Sequence, residues 1–199
     1  MRLILIRHGM TKGNRERRYI GQRTDEPLCE EGIRGLRERC ALYPAVEKVY
    51  TSPMMRSIQT AEILYPELPR RILEALTETD FGRFEGRNAK ELALDPCYQM
   101  WIDSGGALRF PGGESPEETA ARAKNALAQI LRECRTEHIG TAAVVTHGGP
   151  IMAIMHDFTG EPAYSFHTGN GEGYILTISG NTMTEYQKIG ALQERVRPE

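Results

Sequence analysis

The 199-residue sequence has no apolar run approaching the ~18–20 residues that a membrane-spanning helix needs. Its four cysteines, Cys29, Cys40, Cys97 and Cys134, are scattered and form no CxxC pair. That argues against a metal site or a disulfide framework and makes reduced thiols in the cytoplasm the expectation. Charge of neither sign is in excess, the formal net charge being −2. Nothing global therefore points to nucleic acid or a membrane surface as partner. Leu3–Ile6 is too short for the apolar core of a signal peptide and no small-residue cleavage site follows, so no secretory leader is expected. Internal repeats and low-complexity linkers are lacking too. What is present, 40% apolar and 26% charged residues, is ordinary globular usage. The length suits one well-buried domain, read as residues 1–199.

The pattern along the chain predicts strands alternating with helices. Leu3-Ile4-Leu5-Ile6, β-branched and too short for a helix, reads as a strand buried on both faces. Lys12 to Gln22 carries Arg15, Arg17 and Arg18, with Arg23 beyond. It is either a solvated loop or short helix, or a positive rim that favours an anionic substrate. Asp25–Leu28 is turn-like. Glu30 to Leu42 has helical spacing through Ile33, Leu36 and Cys40, with Pro44 ending it. Val46 to Tyr50 is a second strand. Met54 to Leu64 is a helix with Ile58, Ala61 and either Leu64 or Tyr65 on one face, stopped by Pro66 and Pro69. Arg71 to Leu76 reads as a third strand, Glu78 to Asn88 as a shaped loop, and Ala89 to Leu94 as a short helix.

Asp95 to Gly113, with Pro96, Gly105-Gly106 and Gly112-Gly113, shows no period and reads as an insertion or lid. Ser115-Pro116-Glu117-Glu118 supplies an N-cap serine, a proline at the first helical position and a glutamate three residues after the cap. The helix it opens should run to about Thr136 with Ala120, Ala123, Leu127 and Ile130 or Leu131 inward. Thr141 to Thr146 is another apolar strand. Pro150 then opens a helix to about Phe158. Gly173–Ser179 and Thr182–Lys188 form a closing hairpin across Gly180-Asn181. The polar residues from Gly190 are expected to be loose. The alternation predicts an α/β fold with a mostly parallel sheet.

The two strongest strands end alike. The first leads to Arg7-His8-Gly9; the second leads through Thr146 to His147-Gly148-Gly149. If they are parallel in one sheet, both histidines emerge at its carboxyl edge, where ligands bind in such sheets. A lone histidine at a strand end is usually a polar residue reaching solvent. Two, each followed by glycine, suggest metal ligation or acid–base and nucleophilic work. Metal is the weaker option: no helical HxxxH or carboxylate-rich triad accompanies them, and Arg7 repels a cation. An arginine there suits an oxyanion such as phosphate. The glycines let backbone N–H groups approach an anion.

Arg7-His8-Gly9-Met10-Thr11 with Asn14 resembles the opening motif of the histidine phosphatase superfamily, which includes the cofactor-dependent phosphoglycerate mutases. Five further stretches resemble that family in order: Tyr19–Gly21 with Asp25–Leu28, Thr51–Ala61 around Arg56, Leu76–Gly86 around Glu78, Pro111–Ser115, and Val145–Gly149. Two positions depart from the pattern. Met10 stands where the family commonly has glutamate or glutamine, and Phe84 where the small phosphatases often have tryptophan. Met10 is therefore expected to alter substrate contacts at the pocket wall.

The resemblance implies a three-layer α/β/α sandwich of the phosphoglycerate mutase type and phosphoryl transfer through a phosphohistidine. His8 would be the nucleophile, kept neutral by like-charge repulsion from Arg7 and Arg56. Those two arginines would also grip the phosphate oxygens, with His147, Asn14 and the Gly148 backbone N–H as further donors. Glu78 would be the general acid, which requires part of it to be protonated near neutral pH through burial or the incoming phosphate charge. Glu85, Ser52 and Thr60 read as scaffold, and Glu114 and Ser115 as helix capping. No metal or other cofactor is required. The expected partner is a small-molecule phosphate ester, with no nucleic acid or membrane, and the chain a monomer or homodimer. Modest length in Asp95–Gly113 and a short tail favour the small phosphatase branch, with α-ribazole 5′-phosphate as a candidate substrate. A phosphoglycerate mutase and a phospho-ligand binding module without turnover are the alternatives.

Overall fold

A computed structural model describes residues 1–189, so the segment from Gly190 lies outside the described residues. Six strands form one sheet: β1 (Arg2–Arg7), β2 (Lys48–Thr51), β3 (Arg70–Ile72), β4 (Thr141–Thr146), β5 (Gly173–Ser179) and β6 (Thr182–Ile189), in the order β3-β2-β4-β1-β5-β6. The first four are mutually parallel; β5 runs antiparallel to β1, and β6 to β5. The sheet is mostly parallel, as the alternation predicts.

Pleating explains the layers. Side chains alternate across a strand, so Leu3 and Leu5 face one way and Ile4 and Ile6 the other, all four fully buried. The helices are α1 (Lys12–Arg15), α2 (Glu30–Glu38), α3 (Met55–Leu64), α4 (Ala89–Leu92), α5 (Pro96–Asp103), α6 (Pro116–Thr136) and α7 (Gly148–Thr159). Leu3 and Leu5 share a cluster with Leu127 and Ile130 of α6 and Ile151 and Met155 of α7. Ile4 and Ile6 share another with Leu36 of α2 and Ala61 and Leu64 of α3. Each buried Leu or Ile contributes roughly 1.5–3 kcal/mol, so β1 is the middle of an α/β/α sandwich. Among the described residues no helix is long and apolar enough to cross a membrane.

The α6 capping box forms as read: Ser115 Oγ accepts from Glu118 N at 3.3 Å, and Glu118 Oε2 from Ser115 N at 3.1 Å. Both Ile130 and Leu131 are buried, while Ala120 is only partly covered.

Other elements differ from the reading. The Glu30–Leu42 helix is α-helical only to Glu38 and tightens to a 3₁₀ turn at Cys40–Leu42, which leaves Cys40 exposed. The third strand stops at Ile72, where a 3₁₀ turn, Glu74–Leu76, takes over. Helix α7 begins at Gly148; Pro150 sits inside its first turn, where no N–H needs a helical acceptor. The Asp95–Gly113 segment contains α5, capped by Asp95 Oδ1 accepting from Cys97 N at 3.0 Å. Two turns are too few for a legible period. The inner face of α5, Tyr98 and Trp101, packs with Phe84, Leu92 and Phe110 in a separate small cluster.

Candidate active site

The pairing of β1 with β4 creates the site. Arg7 lies opposite Thr146, so the residues that follow emerge side by side. The His8 N–H donates to the Thr146 carbonyl at 2.9 Å. The imidazoles of His8 and His147 lie 5.0 Å apart between centroids, and both are buried.

Geometry sets the His8 tautomer. Its Nδ1 lies 2.7 Å from the Gly9 carbonyl, which can only accept, so Nδ1 carries the proton and Nε2 keeps its lone pair. The Gly9 peptide is itself held: its N–H donates to Thr60 Oγ1 at 2.9 Å, and Asn170 Nδ2 donates to its carbonyl at 3.3 Å. Burial first, then the charges of Arg56 and Arg7, push the His8 pKa well below its ordinary value. The expected neutrality is present, with desolvation outweighing the arginine repulsion that sequence reasoning invoked.

Arg56 and His147 stand behind His8 rather than on the cavity wall. Both are fully buried. Arg56 donates from Nη1 to Thr24 O at 2.8 Å, from Nη2 to Gly21 O at 3.0 Å, and from Nε to His147 Nδ1 at 3.3 Å. An Nδ1 that accepts leaves the His147 proton on Nε2, which faces Ser52 Oγ at 2.8 Å. Neutral His147 therefore has no N–H free for an anion. Burial first, and then Arg56, His8 and Arg7, hold its pKa well below the ordinary value.

The residues facing the cavity include His8, Arg7, Asn14, Glu78 and Gly148. Arg7 Nη1 donates to Thr168 O, while its buried Nε has no protein partner. Asn14 Oδ1 accepts from Asn170 Nδ2 at 2.9 Å and from Thr11 N at 3.3 Å. Glu78 is buried at the N-terminus of α7. Its Oε1 accepts from Thr79 N at 2.8 Å and Gly149 N at 3.0 Å, and its Oε2 from Gly148 N at 3.1 Å. The Gly148 N–H, expected to face phosphate, thus faces Glu78. Gly149 has no room for a side chain: a Cβ would lie 2.5 Å from both Glu78 Oε1 and Thr79 Oγ1.

Sequence reasoning missed the clamp on Glu78. Arg122 of α6 donates to the carbonyls of Ala75, Thr77 and Glu78 at 3.1, 2.5 and 2.9 Å. Its Nε meets Glu114 Oε1 at 2.7 Å. Glu114, read as a cap, is this partner instead. The available signal was an arginine next to the inward positions Thr119, Ala123 and Ala126. Ser52, Thr60 and Glu85 are the scaffold expected of them; Glu85 Oε1 accepts from Gly21 N at 2.8 Å. Met10 does not line the cavity, whose volume is about 500 Å³. Its backbone lies against Gly32 of α2, and the pocket wall on which it was expected is built without it. Among the described residues no group of three or more His, Cys, Asp or Glu could hold a metal ion.

Residues 3–187 match the histidine phosphatase superfamily, branch 1. The metal-independent phosphoserine phosphatase of Arabidopsis thaliana is 32% identical over 76% of this chain and 66% of its own. The crystal structure of the alpha-ribazole phosphatase from Shigella flexneri superposes with a TM-score of 0.79 at 25% identity, covering 92% of this chain and 93% of the other. That of a phosphoglycerate mutase from Thermus thermophilus gives 0.72 at 28% identity, covering 94% and 98%. The chain spans about half the length of the mycobacterial relatives it matches at 31% identity.

Proposed function

This chain belongs to the histidine phosphatase superfamily, branch 1, and from that premise we propose that it is a metal-independent phosphomonoesterase working through a phosphohistidine at His8. The observation that carries the reading is the His8 tautomer. With Nδ1–H held by the Gly9 carbonyl, the unprotonated Nε2 is the atom available to attack.

In the first step the Nε2 lone pair attacks phosphorus and the ester P–O bond breaks. Glu78, protonated, passes its proton to the departing oxygen. In the second step Glu78, now a carboxylate, takes a proton from water. The water oxygen attacks phosphorus, the P–N bond breaks, and orthophosphate leaves. Arg7, with its unpartnered Nε, and Asn14 hold the phosphoryl oxygens. Arg56 and His147 place positive charge and a hydrogen-bonding ring directly behind His8. These groups stabilise the charge on the equatorial oxygens of a loose transition state, the task that Mg²⁺ performs elsewhere.

The relatives' names differ in the alcohol released, so the reading is one of reaction class, with α-ribazole 5′-phosphate the first metabolite to test. The chain is read as one domain, monomeric or dimeric, with residues 95–113 as the roof of the pocket. Free thiols at all four cysteines support a reducing, cytoplasmic setting. The test is phosphate release from p-nitrophenyl phosphate, with and without EDTA, in the wild type and His8→Ala. Release that survives EDTA and vanishes in the variant supports the reading. Interconversion of phosphoglycerates exceeding hydrolysis would replace it with the mutase reading. Ligand binding without turnover would replace it with the binding module.

A further inference from the structure

We infer that the leaving-group end of the cavity takes a neutral, planar aromatic alcohol and rejects carboxylated ones. The inference rests on the proposed function in one respect: the phosphate lies against His8. Aromatic residues are only 7% of the sequence. Yet Tyr19, Phe81, Phe110, Tyr164 and the only tryptophan, Trp101, line this one cavity.

These rings fix one another. Tyr19 meets Phe81 edge-on at 5.3 Å, Phe81 meets Phe110 edge-on at 4.9 Å, and Phe110 lies 5.0 Å from Trp101. The Tyr164 hydroxyl and Trp101 close on Gly106, where a Cβ would lie 2.8 and 3.2 Å from them. Helices α6 and α7 add Ala120, Met152 and Ala153 to the lining. A preorganised aromatic and aliphatic surface stacks a flat ring without further ordering.

Charge completes the selection. Besides Arg7, the arginine on the wall is Arg18, and it is committed. Its Nε meets Glu16 at 2.8 Å, while Nη1 and Nη2 meet Glu91 at 2.8 and 3.1 Å. His156 has its Nδ1 on the Glu161 carbonyl at 2.6 Å. His167 is held neutral chiefly by burial and the Arg7 charge. Glu117, exposed at the mouth, carries a full negative charge. A carboxylate on the leaving group would find no uncommitted cation among the described lining residues, and Glu117 would repel it.

Phosphonates test this without turnover. Calorimetry should show benzylphosphonate binding at least about tenfold more tightly than 3-phosphonopropionate. Trp101→Ala should bring the two within about threefold, and Glu117→Lys should narrow the gap by strengthening 3-phosphonopropionate. Equal affinities in the wild type, no binding of benzylphosphonate, or a ratio unmoved by both variants would overturn the inference. Benzyl phosphate turnover is scored separately. Binding of the phosphonate without hydrolysis of the ester defeats the phosphatase reading alone, whereas equal hydrolysis of benzyl and carboxylated esters defeats the aromatic preference alone.

Discussion

Arg56 Nε donates to His147 Nδ1 across 3.3 Å, and that contact decides what His147 can do when an anion arrives. With Nδ1 accepting and the Nε2 proton directed at Ser52, neutral His147 cannot donate to phosphate. To do so it must gain a proton on Nδ1, and Arg56 Nε must turn toward the anion. A bound dianion offsets the burial and the arginine repulsion that together keep the ring neutral. Sulfate, which does not titrate near neutral pH, should therefore bind with proton uptake and weaken as pH rises from 5 to 8. Calorimetry in buffers of different ionisation enthalpy measures the uptake. His147→Gln should abolish it; uptake that persists in the variant assigns the proton to another group, with His8, whose ring lies 5.0 Å from that of His147, the first candidate.

The two buried histidines also set a stability slope. An unfolded histidine has a pKa of about 6.5, and both folded values lie well below their ordinary one. Between the folded and unfolded values the unfolded chain binds more protons, so stability falls as pH falls below about 6.5. Above about pH 7 both states are neutral at these sites and the pair adds no slope. Within the window each histidine contributes up to ~1.4 kcal/mol per pH unit, and the two titrate as a pair. Urea midpoints between pH 4 and 8 should fall on the acid side in the wild type and flatten there in the His8→Asn/His147→Asn variant.

What the sequence made legible follows from physics that acts locally. Leu3–Ile6 and Ala142–Val145 are continuous apolar runs, as strands buried on both faces must be, and their parallel pairing puts two histidines together. Arg56 was different. Its helix shows an apolar face through Ala61 and Leu64, and a charge on such a helix is assigned outward by default. Its burial depends on the carbonyls of Gly21 and Thr24, on a loop far away in sequence. The aromatic wall gathers side chains from separate segments, and no window of sequence contains it. Glu114 read as a cap because Ser115, its neighbour, is one; only the packing of α6 against the Glu78 loop reveals Arg122 as its partner.

Arg122 should act on the reaction through Glu78. It ties the carbonyls of Ala75, Thr77 and Glu78 to α6 and does not itself line the cavity. Burial works against charge on Glu114, but hydrogen bonds from Arg122 and the Asp80 N–H prevail and lower its pKa, so the pair is ionised. Arg122→Met should lower kcat by about ten- to a hundredfold with a smaller change in KM, because misplacing a general acid costs the chemical step more than binding. Arg122→Lys should restore part of it. A variant that loses stability but keeps kcat in its folded fraction would reduce Arg122 to scaffold.

Thr60 offers the sharpest separation of positioning from chemistry. Its hydroxyl accepts the Gly9 N–H at 2.9 Å and donates to the Arg56 carbonyl at 2.7 Å. It therefore ties the peptide that fixes the His8 tautomer to the helix that carries Arg56. Thr60→Val keeps the volume and deletes both bonds, leaving a buried N–H without a partner at a cost of about 1–3 kcal/mol. Thr60→Ser keeps the hydroxyl and should stay within about 1 kcal/mol of the wild type. If the Gly9 peptide relaxes in the valine variant, its carbonyl no longer holds the His8 Nδ1 proton. The population of the Nε2–H tautomer then rises, and that form cannot attack phosphorus. Nitrogen-15 NMR of the imidazole should show the Nδ1–H form of His8 in the wild type and the serine variant. In the valine variant it should show a mixture, with kcat falling in proportion to the lost tautomer. An unchanged tautomer alongside a lost kcat would mean that Thr60 acts through Arg56 instead.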